Sequence, residues 1–265
     1  MAGGNETFTK EGLIEKLIEI EAMGWVANGR HGNHGGVGNT LEDLLGIEEN
    51  NLPIPNAAEW ELKTHRSGSA SLVTLFHSEP SPRAVRFVPN VLLPQYGWAH
   101  KQAGANYPAN EMSFRQTISG AGPSDRGFRV VVDRAERKVL ISFDALSVDA
   151  RHHLWLASVK TRAGLHELDP QPYWGFDDLE HDAGAKLHNS FFVEAEVRRN
   201  AGRESYHYHH ATMLSNFSLD QLLAGIEAGF VYVDFDARSG HNHGTKFRVR
   251  SDKLPSLYES NKALF

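Results

Sequence analysis

The spacing of apolar residues switches repeatedly between a helical and a strand period, and that alternation excludes an all-α or all-β fold. Leu13, Ile14, Leu17, Ile18 and Glu21 lie at helical spacing behind Thr9, which can cap the first turn, and Gly24 ends the run. Residues 29–38, GRHGNHGGVG, read as a flexible loop. NTLEDLLG reads as a short helix capped by Asn39 or Thr40, with Leu41, Leu44 and Leu45 on its buried side. AEWELKTH (58–65) alternates as a strand, with Trp60, Leu62 and Thr64 on one face and Glu59, Glu61 and Lys63 on the other. SLVTLFH (71–77) reads as the next strand, and RSGS before it suggests a hairpin with its predecessor. Strands at 129–133 and 138–144 predict a second hairpin. SFFVEAEVR (190–198) predicts a further strand, and SLDQLLAGIEAG (218–229) a capped amphipathic helix. VYVDFD and TKFRVR read as strands flanking a polar loop, ARSGHNHG. The class is mixed α/β with a partly antiparallel sheet; residues 145–185 are the least legible.

A chain of 265 residues with 40% apolar and 23% charged residues is large enough to bury a substantial core. Cysteine is absent, which excludes disulfide scaffolds, cysteine nucleophiles and cysteine-ligated zinc, and suits a reducing cytoplasm. No apolar run approaches the roughly 20 residues of a membrane helix, and residues 1–12 lack the pattern of a secretory signal. The net charge of −6 hides an uneven distribution. Residues 41–61 carry acids and no Lys or Arg, whereas Arg238, Lys246, Arg248, Arg250 and Lys253 crowd residues 237–253 against Asp252 alone. Nucleic-acid binding needs only such a local basic surface.

Two constellations carry chemistry. Glu61 and Lys63, two apart on a strand, leave the same face, and Asn56 precedes them by five residues. A carboxylate beside an ammonium can hold a divalent ion and steer a water; Mg²⁺ takes hard oxygen ligands, often one or two carboxylates plus substrate phosphate. The same pair on an exposed strand would be worth well under ~1 kcal/mol. Glu42 falls on the short helix just upstream. The second constellation is DARSGHNHGTKFRVR (236–250). Arg can pair bidentately with guanine, a carboxylate can accept from cytosine, and His can do either at a base edge.

VGNTLEDLLG, then PNAAEWELKT, then NHGTKFR together resemble the MvaI/BcnI family of restriction endonucleases, relatives of MutH; the blocks span most of the chain. The resemblance implies a restriction-endonuclease-like (MutH-like) α/β fold, a mixed sheet flanked by helices, with two lobes around a DNA cleft. It implies a single endonuclease domain over 1–265, with catalytic motifs in about 37–77 and a recognition hairpin in about 230–250. Glu61 would be a metal ligand, Lys63 the catalytic lysine and Glu42 a supporting carboxylate. The family's first acid falls at Asn56, a neutral ligand in a charged one's place, so metal affinity and activity should fall. An engineered aspartate replacement, compensation by Glu59 or Glu42, or a different register of the motif would each account for it. DNA contacts are expected from Asp236, Arg238, His241, Asn242, His243, Lys246, Arg248 and His77, with Arg238 reading a base and Lys246 holding a phosphate. The implied activity is that of a type II site-specific deoxyribonuclease. It would use Mg²⁺, with Mn²⁺ as a substitute, on double-stranded DNA at a short C/G-rich pseudo-palindrome of the CCNGG kind. It would act as a cytoplasmic monomer nicking the strands in turn, beside a cognate DNA methyltransferase. A MutH-like nickase and a DNA-binding protein with a dead nuclease core are the rival readings.

Other features read as structure. The Gly-rich loop lacks the Gly-Lys-Ser/Thr ending of a nucleotide P-loop and follows a helix. His207, His209 and His210 would need a further arrangement to ligate zinc, and Tyr206 and Tyr208 between them suit a packed strand. The aromatics of PQPYWGF (170–176) suit the core.

Overall fold

The computed structural model describes residues 9–29, 36–47 and 59–265. The chain divides into two units, the first from residues 1–73, 183–218 and 250–265, the second from 74–182 and 219–249.

The first unit is built on a five-stranded sheet. It comprises β1 (Trp25–Ala27), β2 (Trp60–Arg66), then, after β3 to β8 below, β9 (Asn189–Asn200), β10 (Arg203–Phe217) and finally β13 (Tyr258–Ala263). The order is β1-β10-β9-β2, with β13 also pairing β10. β9 and β10 form a long antiparallel hairpin, whereas β2 runs parallel to β9 with Glu61 opposite Ser190 and Lys63 opposite Phe192. Helix α1 (Lys10–Ala22) begins at Thr9, whose hydroxyl accepts from Gly12 N at 3.1 Å, and Gly24 follows its end at φ +66°, a conformation that favours glycine. Helix α2 (Gly36–Leu45) starts three residues before the expected cap, so Gly36–Gly38 are helical rather than loop. Close packing explains this. A Cβ at Gly36 would meet the Tyr206 hydroxyl at 2.3 Å and one at Gly38 the Thr64 hydroxyl at 3.1 Å, so these glycines let the helix approach the sheet. Leu13, Leu17, Ile20, Leu41 and Leu45 from the helices pack with Trp60, Leu62, Phe191, Tyr206 and Tyr208 in one core. Tyr206 and Tyr208 are thus core residues, and among the described residues no cluster of three His, Asp or Glu side chains is arranged to hold a metal.

The second unit holds two sheets. One contains β3 (Val73–His77), β4 (Trp98–Ala99), β5 (Met112–Ser119), β11 (Val231–Arg238) and β12 (His241–Val249), ordered β3-β12-β11-β5-β4. The other is β6 (Arg126–Asp133), β7 (Lys138–Val148) and β8 (Tyr173–Gly175). The β6–β7 hairpin is the expected one, its turn held by Asp133 accepting from Ala135 N and Glu136 N. The expected β2–β3 hairpin does not form: β2 pairs with β9, β3 with β12. The segment after β2 turns on itself instead, with Ser69 N donating to Arg66 O and His65 Nε2 at 3.0 Å from Ser71 O. Phe76 of β3 stacks on Phe247 of β12, and that apolar contact outweighs proximity in sequence. The hardest stretch to read contains α3 (His153–Arg162) and α4 (Phe176–Leu187). Trp155 of α3 packs with Tyr96, Phe128 and Phe143, and its indole donates to Tyr96 O at 2.9 Å. Trp174 and Phe176 are core, while Tyr173 keeps partial exposure. Helix α5 (Leu219–Glu227) ends at Gly229, φ +78°, as its sequence requires.

Candidate active site and DNA-reading face

On β2, Trp60 and Leu62 enter the core shared with α1 and α2, which turns Glu61 and Lys63 to the opposite face. That face is not an exposed one. Glu61 is 3% exposed, and Lys63 Nζ donates to its Oε1 at 2.8 Å. Lys186, in the last turn of α4, brings a second ammonium to 3.6 Å from the same oxygen. The other oxygen, Oε2, is buried and has no hydrogen-bond partner among the described residues. An orphaned carboxylate oxygen costs roughly 1–3 kcal/mol or more, and a hard divalent cation is the ligand that would satisfy it. Glu61 therefore fits the metal role inferred from the motif. Asn56 lies outside the described residues.

Burial pushes the Lys63 ammonium below the ordinary lysine range, against the pull of Glu61. Lys186 pushes it down further, while Glu42 on α2 draws the other way, which places Glu42 within electrostatic reach of the pair. Beside Glu61 in the sheet, the Ser190 and Tyr258 hydroxyls meet at 2.7 Å in a buried hydrogen bond. Burial raises the Tyr258 phenol, so it stays protonated.

The second constellation forms one face of the β5–β11–β12 sheet. Burial alternates along β11, so Val231, Val233, Phe235 and Ala237 point inward and Asp234, Asp236 and Arg238 outward. Lys246 and Arg248 of β12 share that outer face, at Asp234 and Tyr232 in the register. The polar loop expected between the strands is shorter than its composition suggests: pairing continues to Arg238 opposite His241, leaving Ser239 and Gly240 as the turn. A bulge places His243 and Gly244 opposite Asp236, and Gly244 sits at φ +82°. A Cβ there would meet His77 at 3.3 Å, so His77 lies against the hairpin together with the other expected DNA contacts. His241 and His243 pack edge to face, and Asn242 Oδ1 accepts from Gly244 N at 3.0 Å.

The carboxylates on this face are already paired. Asp236 bonds to Arg115; burial pushes its carboxyl up, but Arg115 and the nearby His243 and Lys246 together hold it below the usual range. Asp234 accepts from Thr117 at 2.7 Å and Arg248 at 3.2 Å. Arg238 donates to buried Glu111 at 3.0 Å and lies over the Tyr107 ring at 4.6 Å. Sequence reading missed Arg115, Thr117, Glu111 and Tyr107, although the polar alternation of β5 was a visible signal for the first two. A cavity of about 380 Å³ beside Arg238, His241 and Asn242 is also lined by Arg83 and Arg86, two further cations not anticipated.

A model of the MvaI/BcnI restriction endonuclease family matches residues 14–258. The solved restriction endonuclease MvaI–cognate DNA substrate complex is similar with a TM-score of 0.77 and 26% identity, over 97% of this chain and 100% of that one. Restriction endonuclease MvaI in the absence of DNA is similar with a TM-score of 0.55 and 26% identity, over 100% of each chain. No curated protein matches.

Proposed function

The chain belongs to the MvaI/BcnI restriction endonuclease family, and from that premise we propose that it is a type II, sequence-specific endonuclease of double-stranded DNA. The observation that carries the proposal is Glu61: a buried carboxylate with one oxygen on Lys63 and the other without a partner among the described residues. With residue 56 it would hold Mg²⁺ or Mn²⁺, which when bound polarises the scissile phosphate and activates water. Lys63, held by Glu61, would orient the attacking water and stabilise charge on the phosphate oxygens. Water oxygen attacks phosphorus, the 3′ oxygen leaves, and a 5′-phosphate and 3′-hydroxyl result. Glu42 supports the charge on Lys63.

The first unit is the catalytic lobe and the second the reading lobe of one domain. In the second, Arg238 and Asp236 address base edges, Lys246 and Arg248 the backbone, and His77, His241, Asn242 and His243 form the hairpin edge. The site is a short C/G-rich pseudo-palindrome of the CCNGG kind. A monomer carries one such centre and cuts the two strands in sequence. The chain works in the cytoplasm beside a methyltransferase that protects the same site; no helix among the described residues is long and apolar enough to cross a membrane.

Asn56 weakens this chain, because a neutral oxygen replaces a charged ligand. Mg²⁺-dependent cleavage of a mixed-sequence plasmid, compared with the Asn56→Asp form, tests the whole reading. Cleavage is expected to rise by orders of magnitude in the Asp form and give discrete fragments. Equal cutting removes residue 56 from the metal, and binding without cutting by either form establishes the dead-core reading instead.

A further inference from the structure

We infer that Lys186 is a DNA-phosphate contact of the catalytic face, a second lysine that holds the backbone of the cut strand against Glu61 and Lys63. The inference rests on the nuclease reading above and adds a residue that the motif does not contain. Lys186 lies 123 positions after Lys63 in the chain, on another element. Helix α4 ends directly before β9, and Ser190 of β9 stands in register with Glu61, so the helix end delivers the lysine to the carboxylate.

Three features favour a phosphate role over simple neutralisation of Glu61. The Glu61 oxygen already has its hydrogen bond from Lys63 at 2.8 Å, and Lys186 at 3.6 Å is in ionic contact without hydrogen-bond distance. The Lys186 side chain is 26% exposed, against 11% for Lys63, so it stands at the open margin of the site. Two ammoniums directed at one oxygen repel each other, and Lys63 and Lys186 stand 2.8 and 3.6 Å from the same Glu61 Oε1. A helix-terminal lysine gains from the helix dipole in many orientations, and this one adopts an orientation beside a like charge. Glu61 supplies one negative charge for the two ammoniums, and a further anionic oxygen at the open side of Lys186 would balance the surplus positive charge. The anion that a nuclease brings to this place is a backbone phosphate.

The test is metal-free binding to a fluorescent duplex carrying the sequence cut by the Asn56→Asp form, measured across a salt series for the parent, Lys186→Met and Lys186→Arg. Loss of one phosphate contact should make the slope of log K against log salt shallower by about 0.9 and weaken low-salt binding about tenfold. Lys186→Arg should keep the parental slope. The same change in a Glu61→Gln background separates the two roles. A phosphate contact still lowers the slope there, whereas a lysine that only offsets Glu61 has no effect once that charge is gone. A parental slope in Lys186→Met, or a change that vanishes with Glu61→Gln, overturns the inference while leaving the nuclease reading intact. If the parent and its Asn56→Asp form neither bind nor cut DNA, both fall together.

Discussion

The first unit's Glu61 face and the second unit's β11–β12 face carry similar residue types in opposite states. At Glu61, charges are few and largely buried, and one carboxylate oxygen has no partner among the described residues. On the β11–β12 face, Asp234, Asp236 and Glu111 are each tied to an arginine, of which Arg115 is exposed and Arg238 and Arg248 are partly exposed. A buried orphan oxygen is a standing electrostatic demand that one particular kind of ligand meets. Carboxylates already paired with arginines make no such demand, and the pairs hold their donors in fixed directions, which suits selection among base edges. On the proposed function, the difference separates a place for chemistry from a place for recognition.

Substitutions test that separation in order of size. Glu61→Gln or Lys63→Met should reduce cleavage by the Asn56→Asp form about a thousandfold or more, while metal-free DNA binding persists. A variant at either position that cuts at the parental rate would erase the contrast. Arg238→Ala should weaken binding to the cleaved sequence by about 1–3 kcal/mol and leave binding to unrelated duplexes nearly unchanged. Competition between the two duplexes reads this directly, and a uniform loss would move Arg238 to the backbone. Lys246→Ala should do what Arg238→Ala does not, weakening all duplexes alike and reducing the salt slope by about 1.

The smallest functional effect is expected at Glu204, which belongs to neither face although it lies in the same sheet as Glu61. Side-chain hydrogen bonds from Arg199, Arg66 and Tyr206 hold its carboxyl down to about 2. An unfolded glutamate titrates near 4.5, so its stabilisation is complete above that pH and is lost as pH falls from about 4.5 toward about 2. Glu204→Gln should lower unfolding free energy at neutral pH by about 1–2 kcal/mol and flatten the acid limb of stability against pH. Thermal melts across pH check this, and cleavage at neutral pH and moderate temperature should not change.

How much of this was legible in the sequence depended on distance along the chain. Helix α1 with its Thr9 cap, the β6–β7 and β11–β12 hairpins and helix α5 follow from local period and turn chemistry. The partner of β2 did not, because a parallel strand more than a hundred residues away leaves no mark in the local pattern, and a hairpin with β3 was the nearest local alternative. The Glu61–Lys63 pair could be named from spacing, but its burial could not: alternation assigns faces without saying what covers them. Lys186 carried no signal, being one polar residue near the end of an amphipathic helix until the helix is placed against the sheet. On β11, by contrast, strict alternation already told which side would be polar.

The composition of the sheet that bears Glu61 sets when a newly made molecule can assemble the proposed site. Its strands come from residues 25–27, 60–66, 189–217 and 258–263. A ribosome that has translated the first half of the chain has made Glu61 and Lys63 but neither β9, against which β2 must pair, nor Lys186, nor the Tyr258 that bonds Ser190 beside them. The sheet is complete only when residues 258–263 emerge. On the proposed function, this interleaving ties cutting to synthesis through β13: a product truncated before it carries the motif without the sheet around it.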